Sequence, residues 1–197
     1  MVIKKLQKIL HELSKQFILE DYMGEKNLNL GCGNRPLKNF INIDYWNTKY
    51  ADEVVDLNQI LPYEDESIDL IYSDNVFEHV QNLIGLIKEC HRVLKKDGYL
   101  IIRVPYFKSK HAFVDPTHVH FFTVQSMDYF VEGTYFYNQY RFFDESFSKL
   151  EIFFEPQSKS FVRKIVSLYA TKRPNQFENS IWSNIFVFHN IIYVLKK

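Results

Sequence analysis

The stretch Leu28–Asn34, LNLGCGN, is the tightest constraint on what this chain can fold into. A short apolar run ends at once in Gly-x-Gly, where a missing Cβ lets backbone amides approach a ligand closely. The next strand-like run, Phe40–Asp44 (FINID), begins after only nine residues, and Pro36 lies among them. Two parallel strands ordinarily need a connection of about a dozen residues or more. A very short or irregular first crossover helix is therefore predicted.

Further along, strand-like and helical patterns alternate. Asn27–Leu30, Phe40–Asp44, Val54–Val55 and Ser67–Ser73 read as the first four strands, and Tyr99–Val104, ended by Pro105, as the fifth. Val76–Leu94 carries apolar residues at helical intervals, interrupted near Gln81-Asn82, which predicts one short and one longer helix closed by Asp97-Gly98. Leu150–Phe154 and Ile191–Leu195 are the last predicted strands, with a helix between Ser160 and Ala170. Val2, Ile3, Leu6, Ile9, Leu10, Leu13 and Phe17 recur at helical spacing, so residues 1–22 are expected to hold an amphipathic helix. It would pack on the domain, act as a pocket lid or touch a membrane surface. The expected fold is α/β: a Rossmann-like, mostly parallel, doubly wound sheet with helices on both faces.

Composition narrows the function. Lys plus Arg and Asp plus Glu both number 24, so no global field is available to hold a polyanion, and nucleic acid is not an expected partner. The two cysteines, Cys32 and Cys90, show neither CxxC nor zinc-ligand spacing, which excludes a disulfide framework and points to a reducing, cytoplasmic location. No run approaches the roughly 18 apolar residues of a membrane span.

The glycine loop is not a phosphate loop. Pro36 stands where a dinucleotide fingerprint has its third glycine, and there is no Gly-Lys-Ser/Thr. Asp44, ending the second strand, is placed to accept both hydroxyls of a ribose. Asp56-Leu57, after the third, could accept from an adenine amino group. Together these describe an adenosine site without a pyrophosphate.

In order, LNLGCGNRP, FINID, VVDL, LPYEDESIDLIYSDNVFEHV and ECHRVLKKDGYLIIRVP resemble the class I S-adenosylmethionine-dependent methyltransferases, over about Asn27–Pro105. DPTHVHFFT resembles a motif of small members found with polysaccharide biosynthesis enzymes. The resemblance implies S-adenosyl-L-methionine as cofactor and one methyltransferase domain over 1–197, with a cofactor-binding core at 27–105 and an acceptor-side insertion and C-terminal strands at 106–197. It also implies cofactor contacts from Gly31, Cys32, Gly33, Asn34, Asp44, Tyr45, Asp56, Leu57, Ser73 and Asn75, with Tyr45 packing on adenine.

Methyl transfer to a hydroxyl needs a nucleophile positioned in line and a base. Two groups after strands offer one. Glu78-His79 follows the fourth strand, and His79 is a candidate base. Some quinone O-methyltransferases bind a divalent metal through an acid three residues before such a pair; Asn75 stands there in this chain, and no metal ligand is assigned. Beyond the fifth strand, an extended Val119–Phe122 would point His118 and His120 to one face, with His111 and Asp115 closing on the same pocket. The alternatives for this group are a structural role or a metal; the reading adopted makes His118 or His120 the base and Asp115 its orienting partner. The expected acceptor is a small molecule or glycan, a sugar or nucleotide sugar. A non-catalytic binding or scaffold module is the alternative, with a sugar amine or a tRNA behind it.

Overall fold

The computed structural model describes residues 17–142, 144–155 and 161–197. Its centre is a seven-stranded sheet in the order β3-β2-β1-β4-β5-β7-β6. The strands are β1 (Asn27–Leu30), β2 (Ile41–Asp44), β3 (Glu53–Val54), β4 (Ile68–Asp74), β5 (Leu94–Pro105), β6 (Lys149–Phe154) and β7 (Asn190–Lys196). Strands β1 to β5 pair in parallel, and β7 runs antiparallel between β5 and β6. The chain order reverses at β1/β4, the switch point at whose carboxyl edge ligands bind in sheets of this kind.

The central strands form where runs of β-favouring side chains are buried on both faces, whereas the edge strands β3 and β6 are largely exposed or half-buried. All four residues of β1 are buried, as are the first six of β7. One face carries the large core that includes Leu28, Ile43, Ile71, Leu100 and Tyr193. Helix α1 (Leu83–Val93) covers part of it with Leu86, Ile87, Cys90 and Val93, and starts where Asn82 Oδ1 accepts from the Gly85 amide at 3.0 Å. The other face, around Leu70, Ile101 and Ile192, is packed by Phe17, Leu19, Tyr22 and Met23.

No helix forms between β1 and β2; residues 31–39 run as turns and bends. Buried asparagines replace the missing helical hydrogen bonds. Asn29 Nδ2 donates to the Arg35 carbonyl at 3.4 Å and to Asn42 Oδ1 at 2.9 Å, and Asn42 Oδ1 also accepts from the Leu37 amide at 2.7 Å. Asn27 Nδ2 reaches the Asn39 carbonyl at 3.2 Å. The compressed crossover is thus tied down by side chains of the strands it connects.

Three expectations need correction. The short helix predicted near Val76 is a single turn over residues 77–79, closed by the His79 amide on the Val76 carbonyl at 2.9 Å. The longer helix ends at Val93 rather than at Asp97-Gly98, because Leu94 already pairs with Ile68 and the register shifts before Tyr99 meets Leu70. Asp97, at φ 66°, and Gly98 belong to that irregularity, held by the Lys197 amide on the Gly98 carbonyl at 3.0 Å. The amphipathic helix expected over 1–22 falls mostly outside the described residues; within them, Leu19–Tyr22 form a 3₁₀ turn.

The remaining helices precede β7 in the chain: α2 (Tyr135–Tyr140) comes before β6, and α3 (Phe161–Lys172), α4 (Pro174–Glu178) and α5 (Trp182–Ile185) lie between β6 and β7. None of the described helices is long and apolar enough to cross a membrane.

Candidate active site

Gly31 and Gly33 both adopt positive φ, 65° and 54°, directly after β1. They serve different purposes. A Cβ on Gly31 would lie 2.4 Å from Val76 Cγ2, so this glycine lets the turn after β4 pack against the loop. A Cβ on Gly33 would meet nothing within 4 Å, and its amide donates to Asp44 Oδ2 at 2.7 Å. The second Asp44 oxygen accepts from the Trp46 amide at 3.0 Å, which fixes the carboxylate at the end of β2 with lone pairs to spare. Tyr45 and Trp46 are both exposed beside it, their rings edge to face at 5.0 Å.

Other predicted cofactor residues are placed as follows. The Cys32 amide donates to the Ile43 carbonyl at 2.9 Å, and burial pushes its thiol up. Asn34 is exposed on the same loop. Asp56 Oδ1 accepts from the Asn58 amide at 2.9 Å, and Leu57 is buried beside it. Ser73 is fully buried near the end of β4, and its hydroxyl has no hydrogen-bond partner among the described residues. Asn75, at φ 55°, hangs from the Arg103 carbonyl by its amide at 2.8 Å and turns its side chain to Asp74. An open glycine cradle, an acceptor carboxylate already oriented and an orphan buried hydroxyl fit an adenosine-bearing ligand.

The acceptor-side motifs meet in one cavity of about 410 Å³, lined among others by Arg35, Asn75, Glu78, His79, His111 and His118. Backbone pairing brings them together. The Glu78 carbonyl accepts from the amides of Val119 at 2.8 Å and His120 at 3.2 Å, clamping the DPTHVHFF segment onto the turn after β4. His118 then donates from Nδ1 to the Ala112 carbonyl at 2.9 Å, since a carbonyl can only accept. Nε2, the acceptor nitrogen of the neutral ring in that tautomer, lies 3.9 Å from Glu78 Oε1. The Thr117 hydroxyl gives its one proton to Asp115 Oδ1 at 2.7 Å, so His79 Nδ1 must donate to Thr117 Oγ1 at 2.9 Å, and Nε2 of His79 is likewise free. The two rings stand edge to face, 4.7 Å apart.

His120 does not join them. Its Nε2 bonds the Val80 carbonyl at 2.9 Å, and it is not part of the cavity lining. Asp115 does reach the cavity, acting on His79 through Thr117.

Burial sets the charge states. Glu78 is 1% exposed, and burial pushes its carboxyl up to about 7. Burial, then the neighbouring His118, lowers the His79 pKa, so that imidazole is neutral near pH 7. Hydrogen bonds from Thr117 hold the Asp115 carboxyl below the usual range.

Several contributors were not singled out in the sequence. Arg103, from β5, pairs with Asp74 and, at 2.7 Å, with Glu155. His189 and Asn190 also line the cavity. They arrive because β7 is antiparallel, which sets Asn190 opposite Pro105 at the carboxyl end of β5. The His189 ring stands 4.6 Å from that of His111.

Residues 28–102 match the family described as a methyltransferase domain. The match covers less than half of the chain. The cofactor that it implies is S-adenosylmethionine. A 41-residue stretch is 46% identical to malonyl-[acyl-carrier protein] O-methyltransferase 1 of Coxiella burnetii, covering 21% of this chain and 14% of that protein. The shared part is thus a small fraction of that relative. Among solved structures, a methyltransferase from Archaeoglobus fulgidus is 16% identical with a TM-score of 0.59, over 100% of this chain and 93% of the other. One from Thermotoga maritima is 17% identical with a TM-score of 0.56, over 95% and 88%. At these identities the likeness establishes the fold alone, over the chain beyond residue 102 as well as before it.

Proposed function

We propose that this chain transfers a methyl group from S-adenosylmethionine to a hydroxyl of a small-molecule or glycan acceptor, of the sugar or nucleotide-sugar kind. The observation that carries the reading is the pair of imidazoles, His79 and His118, each with Nδ1 occupied and Nε2 free, on the wall of the cavity beside the cofactor edge of the sheet.

Gly31, Cys32, Gly33 and Asn34 would receive the cofactor, Asp44 its ribose and Asp56 its adenine, with Tyr45, Leu57, Ser73 and Asn75 around them. The bound cofactor supplies an electrophilic methyl on a sulfonium. The chain's own residues hold the acceptor hydroxyl in line and take its proton. Neutral His79 and the free Nε2 of His118 suit that second task, and Asp115 orients His79 through Thr117. His120 is a clip on Val80 and not a base. A role in polysaccharide biosynthesis and a cytoplasmic location belong to this reading.

The test is calorimetric titration of the purified chain with S-adenosylhomocysteine, with NADH as control, followed by a labelled-methyl assay on a panel of nucleotide sugars and glycans. Binding of the first ligand alone and transfer to at least one hydroxyl support the reading. Binding without transfer to any acceptor would favour a binding module, and no binding would remove the cofactor assignment.

A further inference from the structure

Glu78, His79 and His118 each offer one ligand atom, and these atoms lie within 4.8 Å of one another. We propose that this triad is a divalent metal site, of the two-imidazole, one-carboxylate kind, opening into the acceptor cavity.

Three observations lead there independently. The first is an unpaired carboxylate. Glu78 is 1% exposed, and among the described residues neither of its side-chain oxygens has a hydrogen-bond partner. An isolated buried carboxylate is costly, and a cation is one of the few things that offset it. Among the described residues no lysine or arginine pairs with it: Arg103 is held by Asp74 and Glu155 instead.

The second observation is the orientation of the imidazoles. A metal-bound histidine ordinarily donates its other ring N–H to a carbonyl or, directly or through a hydroxyl, to a carboxylate, which fixes the tautomer that ligates. His118 does so to the Ala112 carbonyl at 2.9 Å. His79 does so to Thr117, whose hydroxyl passes on to Asp115 at 2.7 Å. Both outer partners are therefore in place, and the nitrogens they leave free are the ones a metal would take.

The third is how the site is assembled. Glu78 and His79 come from the turn after β4, and His118 from the segment that the Glu78 carbonyl itself clamps through Val119. Asn75 takes no part, since its amide is turned to Asp74 at 2.8 Å. The set could not be read from residues adjacent in sequence.

Ligands bound at about 2.0–2.2 Å around one ion lie roughly 3–3.5 Å apart. The 3.9 Å between His118 Nε2 and Glu78 Oε1 needs only a small closure. Two nitrogens and one oxygen favour zinc, manganese, iron(II), cobalt or nickel over calcium and magnesium, which prefer oxygen ligands. Three protein ligands leave positions open toward the cavity. That an acceptor oxygen fills one of them rests on the methyl-transfer reading above; the ion site itself does not. With the ion bound, the two imidazoles would serve as ligands in place of their role as base; the metal would lower the pKa of the hydroxyl, and its proton would pass to water in the open cavity.

The experiment needs no methyl donor. The metal-stripped full chain is titrated with cobalt(II), followed by visible absorption and by elemental analysis after dialysis. One cobalt per chain is expected, with affinity falling at least about tenfold in Glu78→Gln and His118→Gln, and by about tenfold in Thr117→Val, whose exposed side chain touches only the outer contact. Circular dichroism checks that each variant is folded. No stoichiometric uptake by the wild-type chain would overturn the site, as would uptake unchanged in folded Glu78→Gln or His118→Gln. If Glu78→Gln does not fold, the wild-type stoichiometry and Thr117→Val decide. S-adenosylhomocysteine binding, measured separately, shows whether the cofactor reading fails on its own.

Discussion

The amide of Val119 donates to the carbonyl of Glu78 at 2.8 Å, and this contact makes two motifs distant in the chain into one wall of one cavity. It also separates two histidines that the sequence places side by side. His118 lies against Glu78 and His79, whereas His120 is tied to the Val80 carbonyl. His118→Ala is therefore expected to lower turnover by about a hundredfold or more while cofactor binding persists. His120→Ala should cost about 1–2 kcal/mol of stability through the lost hydrogen bond, with a much smaller effect on turnover. Steady-state kinetics and thermal melts on both variants check this. Equal losses of turnover at unchanged stability would return His120 to the reacting centre.

Asp44 is held at both oxygens by backbone amides, of Gly33 at 2.7 Å and Trp46 at 3.0 Å. The carboxylate is thus oriented before any ligand arrives. If it receives the ribose, Asp44→Ala removes charge-assisted hydrogen bonds worth about 1.5–3 kcal/mol, so affinity for S-adenosylhomocysteine should fall about 10- to 100-fold. Calorimetry reads this directly. Affinity within about twofold of wild type would remove Asp44 from the cofactor site.

The two loop glycines should fail differently. Gly31→Ala combines a left-handed backbone with a 2.4 Å approach to Val76 Cγ2, and should destabilise the fold by about 2–4 kcal/mol. Gly33→Ala meets no protein atom within 4 Å, so its cost to stability is the backbone term of about 1–2 kcal/mol. Its methyl group would instead occupy the open space beside the amide, and cofactor affinity should suffer more than stability. Denaturant unfolding paired with S-adenosylhomocysteine titration distinguishes the two. A Gly33→Ala chain that binds as well as wild type would show that the cofactor does not approach there.

Strands such as β1 and β7 were legible because they are short apolar runs that the sheet buries on both faces, and the positions of the glycine loop and Asp44 were legible because they sit directly at strand ends. What escaped was decided by contacts between distant segments. The turn over residues 77–79 looks like a helix start, yet the Glu78 carbonyl is taken by Val119 and His120 and cannot continue a helical ladder. Asp97-Gly98 looks like a helix stop, but it lies in the irregular start of β5. Alternation along an extended segment put His118 and His120 on one face; residues 118–121 form no strand, and the clamp turns them apart. His189 carried no local signal at all, since only the antiparallel entry of β7 brings it to the cavity.

Away from the site, Glu89 and Arg92 clamp the 61–65 loop to α1. Arg92 pairs with Glu89 at 2.7 Å and donates to the carbonyls of Tyr63 at 2.9 Å and Leu61 at 3.0 Å, while Glu89 accepts from the Leu61 amide at 3.0 Å. The side-chain hydrogen bond from Arg92 is the main cause that holds the Glu89 carboxyl below the usual glutamate range. Its folded pKa is thus lower than its unfolded one, and the unfolded chain binds more protons in the acid window between them. The contribution is complete above the unfolded glutamate pKa and is lost as pH falls through the folded one. Glu89→Gln should therefore melt lower than wild type at neutral pH, by about 1–2 kcal/mol, and the two curves should converge under acid. Melting temperatures over a pH series test this. A gap that stays constant from neutral to acid pH would show that the clamp is held by packing and not by the ionised carboxylate.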